Sequence, residues 1–424
     1  MPEAAPGQRG SDDAAKAVPD DGARAVPEAV PEAVPEAVAD SAPTGPTTPP
    51  PPARRWIDQR INRRKLLTGV AGLVAVAAAA GVNEWVRRSN SHGPRIWHTT
   101  AASGRLELTT GRQPALYVSG FDGTVRALDP RTGEVRWSHT VSTPHDAEAQ
   151  GGWPLAAGDG VVCVATDTHL RVLDAQSGEQ RWEAAAPYWS EAAGKQRPAV
   201  GGGSVFAAHG SAVRCYELTT GDPRWTGPVL HAASLALDGD TVYAAGASAG
   251  VVALDARTGG QLWERKVVAN SPLTAHRGAL LVTSESMGGT IVAALDGTTG
   301  DRLWESFQHG DPGRPAALGR TVYMGNGDRL YGLDTETGDW VWKANAFTGR
   351  AAEAPAVVAT DGGVYAATAE GRLWAFDPST GAMRWQDDSQ RAGRVSLAAA
   401  GGTVYHSSPG GVVALGTQPA PPAA

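Results

Sequence analysis

From residue 95 to residue 416 apolar side chains recur in short alternating runs separated by tight, glycine-bearing turns. The run Ala115-Leu-Tyr-Val-Ser119, the turn Phe121-Asp-Gly123 and the run Thr124-Val-Arg-Ala-Leu128 have the period of two of half-buried strands in a hairpin. Comparable first runs return at Thr241–Ala245, Thr321–Met324, Gly363–Ala366 and Thr403–His406. The turn behind them usually carries glycine (Gly250, Gly289, Gly327, Gly371, Gly411). The pattern predicts an all-β body.

Each strand pair leads into one eleven-residue string, first seen as Ala127-Leu-Asp-Pro-Arg-Thr-Gly-Glu-Val-Arg-Trp137. It returns in copies that end at Trp182, Trp225, Trp263, Trp304, Trp342 and Trp385, with the acid and the glycine four apart and the glycine and the tryptophan four apart. The acid is Asp in every copy but one, where Glu217 stands. Successive tryptophans are 45, 43, 38, 41, 38 and 43 residues apart, the length of one four-stranded propeller blade. The acid can accept backbone N–H groups of the following turn, and the glycine supplies the positive φ of that turn. The tryptophan opens the outermost strand, where its ring can pack on the neighbouring blade while its N–H still needs an acceptor.

The ends set the blade number. After Thr403 the chain has the inner strands and Ala414-Leu415, then Gly416 in place of the acid and no tryptophan strand. Around Trp97, forty residues before Trp137, lies a tryptophan strand with nothing ahead of it. An N-terminal strand that completes the C-terminal blade gives an eight-bladed β-propeller and pairs edges that a linear array would leave open. A seven-bladed count, prompted by the divergent copy at Glu217, is the competing arithmetic.

Composition agrees, with 53 Gly, 30 Pro and 14 Trp in 424 residues. Acids and bases balance over residues 1–88, so the propeller carries the whole net charge of −7. Such a body has no clustered Lys and Arg footprint for nucleic acid. Cys163 and Cys215 lie apart in apolar runs and read as small buried hydrophobes. The histidines are too scattered for metal-ligand spacing. Gly201–Gly203 and Gly288-Gly289 fall in hairpins, without the helix a phosphate cradle needs.

Ahead of the propeller, residues 1–55 form a Pro/Ala/Glu-rich tail whose composition predicts disorder, its Pro run at 49–52 offering a docking site for a proline-recognising partner. Residues 56–88 hold Arg60, Arg63, Arg64 and Lys65, an uncharged run from Leu66 to Asn83, then Arg87 and Arg88. The order resembles a twin-arginine export signal. It also fits one apolar membrane helix through residues 66–86, with the N-terminus inside and the propeller outside. The two readings, a cell-membrane anchor or secretion after cleavage near Ala80, both place the propeller outside the cytoplasm. Residues 417–424 read as a disordered tail.

The repeated string resembles the tryptophan-docking motif of quinoprotein (PQQ-like) propellers over residues 95–416. It lacks the Gly-His and Trp-Asp pairs of WD repeats. The resemblance implies blade packing and does not by itself imply a cofactor. The dehydrogenases of the family use PQQ with a divalent metal such as calcium, and many add a vicinal disulfide; this chain has no adjacent cysteines and no insertion large enough for a substrate lid. It is more similar to non-catalytic members, the outer-membrane assembly propeller lipoprotein and the kinase-linked sensor propellers of actinobacteria. The expectation is therefore a monomeric, non-catalytic binding or scaffolding module without cofactor, with another protein or a small extracellular ligand as partner. A PQQ-dependent enzyme is the alternative.

The loops between blades are the candidate binding surface. They hold His145, Asp146 and Trp153; Tyr188, Trp189 and Arg197; and Asn270, Arg314, Arg350 and Arg394. Trp153, Tyr188 and Trp189 are expected to be displayed, since aromatics with arginine commonly anchor partners. A plugged axial funnel argues against a small ligand, whereas an open polar one favours it.

Overall fold

The computed structural model describes residues 93–110, 113–144, 146, 152–185, 197–209, 212–228, 232–246, 250–267, 269, 272–286, 289–308, 313–326, 328–346, 355–388, 390 and 392–416. The expectations for residues 1–55, 56–88 and 417–424 lie outside the described residues. Within them thirty-two strands, β1–β32 in chain order, form eight four-stranded antiparallel sheets. Blade 1 runs outward from β2 (Gly104–Thr109) through β3 (Ala115–Gly120) and β4 (Thr124–Leu128) to β5 (Val135–Thr140). Six further sheets repeat this order. The last is completed by β1 (Arg95–Thr99), which pairs antiparallel with β32 (Gly411–Gly416), Trp97 opposite Ala414 and Thr99 opposite Val412. The count is eight, and the copy with Glu217 is a full blade.

The innermost strands are β2, β6 (Leu155–Gly158), β10 (Ala199–Gly201), β14 (Ala232–Asp238), β18 (Thr274–His276), β22 (Ala316–Leu318), β26 (Ala356–Thr360) and β30 (Ser396–Ala400). Each touches the next, and β30 returns to β2, so they close a ring around an axis. The core lies between blades. One cluster joins Tyr117, Val125 and Trp137 of blade 1 to Leu155, Val162 and Leu173 of blade 2. Another joins Trp97 and Tyr405 of blade 8 to Leu106 and Leu116 of blade 1. Cys163 and Cys215 are buried free thiols.

Seven tryptophans dock in one way. The Nε1–H of Trp97, Trp137, Trp182, Trp225, Trp263, Trp304 and Trp342 donates at 2.8–3.1 Å to a carbonyl in the next blade, that of the residue following the turn acid. Tyr117, Tyr243, Tyr323 and Tyr405 donate their hydroxyls to the same carbonyls as the tryptophans they pack against, occupying both lone pairs. The ring face lies on the motif glycine. At Gly259 (φ +72°) an added Cβ would come within 2.6 Å of the Trp225 ring.

The turn acid works as its position implies. Asp174 accepts the N–H groups of Gln176 and Ser177 at 2.9 and 2.8 Å. Glu217, one methylene longer, accepts those of Thr219 and Thr220 at 2.7 Å. The Arg181 guanidinium and the Ser177 amide hold Asp174 at about 2, and the hydroxyl of Thr219 with the Thr220 amide does the same for Glu217. Trp385 of blade 7 faces blade 8, whose sequence has Gly416 at the acid position and Ala420 at the glycine position. There Gly93 comes in from the N-terminal side: a Cβ on it would sit 3.0 Å from the Trp385 ring. Beside it, Gly416 N–H donates to the Pro94 carbonyl at 2.8 Å.

One polar side chain stands out in the core. His406 in β31 (Thr403–Ser408) occupies the place held by Met324 and Ala244 in the matching Thr-Val-Tyr strands. It is fully buried, and neither ring nitrogen has a hydrogen-bond partner among the described residues. Burial pushes its pKa down to about 4, against the opposing pull of Asp387.

Two outcomes are expected. Gly259→Ala should lower stability in urea by about 1 kcal/mol or more beyond Gly239→Ala, because Gly239 has φ +54° but nothing within 4 Å of an added Cβ. Equal losses would mean that tryptophan contact does not restrict the glycine. His406 is held neutral with a lowered pKa, so the stability linked to it is complete above about pH 6.5 and is lost as pH falls toward 4. His406→Met should therefore raise the unfolding midpoint more at pH 5 than at pH 8; the same gain at both would contradict the assignment.

Candidate functional site

Because every blade has the same inside-to-outside order, all innermost strands run the same way along the axis, and their N-terminal ends gather at one mouth. The axial cavity there has a volume of 540 Å³. Its walls come from the first strands of blades 1, 2, 5, 6, 7 and 8 and from Arg197, just ahead of β10 in blade 3. Most of the wall is aliphatic, as at Leu108, Ala317, Ala359 and Ala399, and among the described residues no aromatic side chain lines it and none plugs the funnel.

Its charged residues are Arg105, Glu107, Arg197 and Arg314. Arg105 and Glu107 project from the same face of β2, two residues apart. Arg197 pairs with the Glu107 carboxylate and donates Nε–H to the Leu155 carbonyl at 3.0 Å. Arg105 donates Nε–H to the Gly152 carbonyl at 2.8 Å. Burial raises the pKa of Glu107, opposed by Arg197, Arg314 and the Ala157 amide. Arg314 is pushed down to about 10, by burial and by the like charge of Arg197, with Glu107 opposing. Its surface nonetheless remains accessible to solvent; a side chain enclosed by protein yet wet is one that projects into a channel. Arg314 has no hydrogen bond or ion pair with any described residue. Burial together with the charge of Arg394 lowers the pKa of Arg105, which puts a fourth arginine beside the mouth.

Three of the loop candidates, Arg197, Arg314 and Arg394, thus gather around one end of the axis although they come from blades 3, 6 and 8. Trp153 does not join them. Expected to be displayed, it is only 1% exposed, with Nε1–H donating to Ser142 Oγ at 2.7 Å and its amide to Ser119 Oγ at 2.9 Å. Two serine hydroxyls satisfy its polar groups, so the ring closes the core between blades 1 and 2. Asp146 accepts the Thr143 hydroxyl at 2.5 Å and lies away from the cavity. His145, Tyr188, Trp189, Asn270 and Arg350 lie outside the described residues.

The sequence reading missed Arg105 and Glu107. The only signal was their alternation with leucine in Arg-Leu-Glu-Leu, charged residues on one face of a strand. It also missed a pattern on the outer wall. The residue before the docking tryptophan is arginine in blades 1, 2, 3 and 7, where Arg136, Arg181, Arg224 and Arg384 pair with the turn acids. In blades 4, 5, 6 and 8 it is Leu262, Leu303, Val341 and Ile96, each about half exposed, with Phe307 and Trp340 nearby on β21 (Arg302–Gln308) and β25 (Trp340–Asn345).

A larger cleft, 780 Å³, lies between blades 1 and 2 at the docking turns. Four of its six charged residues, Asp129, Asp174, Arg136 and Arg181, already pair with one another, so size alone does not make it a site. Among the described residues no group of three or more His, Cys, Asp or Glu is placed to hold a metal, and no helix is long and apolar enough to cross a membrane. The expected span at 66–86 lies outside those residues.

These features define a closed eight-bladed propeller of the tryptophan-docking type with a cationic axial mouth. The family model described as outer membrane protein assembly factor BamB matches residues 64–150, 121–285, 209–342 and 288–419, and the chain belongs to that family. Over 139 residues it is 34% identical to the serine/threonine-protein kinase AfsK of Streptomyces griseus, covering 30% of this chain and 15% of the kinase. Over 159 residues it is 30% identical to the outer membrane protein assembly factor BamB of Burkholderia pseudomallei, covering 35% of this chain and 40% of that protein. The matches thus span less than half of either relative. In structure it is similar to BamB from Moraxella catarrhalis (TM-score 0.57, 21% identity, 75% of this chain and 96% of that one). It is also similar to quinohemoprotein alcohol dehydrogenase from Comamonas testosteroni (TM-score 0.54, 15% identity, 78% and 76%). At these identities the structural likeness shows the fold alone.

The Glu107–Arg197 pair makes a stability prediction. Arg197→Met leaves a partly buried carboxylate without its nearest partner and should cost about 1–3 kcal/mol. Adding Glu107→Leu should recover most of that loss. A double variant no more stable than Arg197→Met alone in denaturant titration would show that the two groups are not coupled.

Proposed function

We propose that the chain is a non-catalytic binding or scaffolding propeller that works outside the cytoplasm, tethered to or exported across the membrane by residues 56–88, with another protein as its main partner. The observation that carries this reading is membership of a family named for assembling proteins, through a model that matches from residue 64 to residue 419. The outer wall adds support. Apolar side chains stand at one position on three consecutive blades, and again at Ile96 of blade 8, where blades 1, 2, 3 and 7 place a paired arginine, and clustered exposed apolar surface is typical of protein contact sites. Tyr188, Trp189, His145, Asn270 and Arg350 remain proposed contact residues of the blade-to-blade loops.

The second reading, a PQQ-dependent enzyme, has the structural likeness to dehydrogenases behind it. The described residues of the axial cavity fit the group poorly: none of those that line it is aromatic, and their one carboxylate, Glu107, is engaged by Arg197.

Protease added to intact cells should degrade the propeller and spare the N-terminal tail; a propeller protected until lysis would refute the extracytoplasmic assignment. Titration of the purified chain with PQQ and Ca²⁺ should leave the unfolding midpoint unchanged. A rise with cofactor concentration would favour the enzyme, because ligand that binds the native state must stabilise it.

A further inference from the structure

The axial mouth collects positive charge in a molecule that is otherwise acidic. The net charge is −7, yet Arg105, Arg197, Arg314 and Arg394 meet at one end of the axis, and among the described residues that line it Glu107 is the single carboxylate. Arg197 is partly neutralised by that carboxylate. Arg314, across the ring in blade 6, has no hydrogen bond or ion pair among the described residues. Such an arrangement raises the free energy of the empty channel through like-charge repulsion and desolvation, both visible in the lowered pKa of Arg314. An anion relieves both. Guanidinium groups match carboxylates in shape and donor geometry, and the resulting bonds are charge-assisted.

The walls narrow the chemistry. Below the arginines they are formed by alanine, valine and leucine, with Thr274 and Ser396 as the uncharged polar groups. Among the described residues a ring system would find no aromatic face to stack on, whereas a short carbon chain would meet aliphatic side chains. The volume of 540 Å³ lies within the range of small-molecule sites. We infer that the axial channel binds a small aliphatic di- or tricarboxylate, its carboxylates held by Arg314, Arg197 and Arg105 and its carbon skeleton resting on the Ala/Val wall. Glu107 positions Arg197 and limits affinity, since it competes with the ligand for the same guanidinium. The inference does not depend on the scaffold reading, because a propeller that docks a protein on its outer wall can hold a metabolite on its axis.

The test uses the full-length chain purified in non-ionic detergent, at constant ionic strength, with citrate as the probe and inorganic phosphate, acetate and PQQ as comparators. Binding is followed by calorimetry and by the unfolding midpoint. Citrate should bind saturably and more tightly than any comparator, and Arg314→Gln should weaken it by about tenfold or more, the loss expected for a charge-assisted bond. Glu107→Gln should tighten it. No saturation, phosphate or PQQ binding as tightly as citrate, or citrate binding unchanged in Arg314→Gln would each overturn the proposal. Should Arg314→Gln fail to fold by circular dichroism, Glu107→Gln decides alone: unchanged or weaker citrate binding would overturn it.

Discussion

The indole N–H of an outer-strand tryptophan reaches a carbonyl in the next blade, while its ring covers the glycine of that blade's turn. This contact couples two scales of structure. The carbonyl is presented only when the turn is formed, and the turn forms only when its acid has gathered the following amides and its glycine has taken positive φ. A side chain on that glycine would meet the indole at less than van der Waals distance, so local turn and inter-blade packing specify the same residue. The hydrophobic clusters then follow, because they lie between sheets held at the separation the tryptophan sets.

A ring makes every blade both giver and receiver of this contact, and the seam is where that demand is hardest to meet. Blade 8 has its tryptophan from the N-terminal strand, so Trp97 docks forward on blade 1. The same blade has Gly416 where the others have the turn acid, and Gly93, just ahead of β1, lies against the Trp385 ring. A few residues of the N-terminal segment therefore complete the ring in both directions. Strand pairing alone would have closed the sheet; this second contact also closes the packing.

The legibility of the sequence divides along the same line. The motif could be read because each of its residues has a fixed mechanical task, and even the change from Asp to Glu217 keeps that task. The innermost strands could not. In β10, β18 and β22 they are only three residues long and half-buried throughout, because one side faces the channel and the other packs on a neighbour. Alternation does not develop in those three, and in the longer β2 the alternating Arg105 and Glu107 passed as ordinary strand residues. Arg197 and Arg314 were legible as polar groups next to Pro-Ala, but only ring closure brings them to one cavity. Trp153 failed for a related reason. It ends a long loop two residues before β6, and nothing local indicates that Ser119 and Ser142 of the preceding blade wait for its amide and indole.

The number of blades also fixes what the axis can hold. Eight innermost strands leave a lumen, and short side chains such as Ala317, Ala359 and Ala399 do not fill it. Charge placed there acts at low dielectric, walled by protein and fed by water from one mouth, so it is felt more strongly than the same charge on the outer wall. Arginines 136, 181, 224 and 384 lie on that outer wall, each opposite a turn acid, and contribute packing and local order. On the axis, among the described residues, Glu107 faces several guanidinium groups. The same residue type thus plays two parts, and the tryptophan that spaces the blades decides which, because it sets the width of the ring and therefore whether the centre is core or channel.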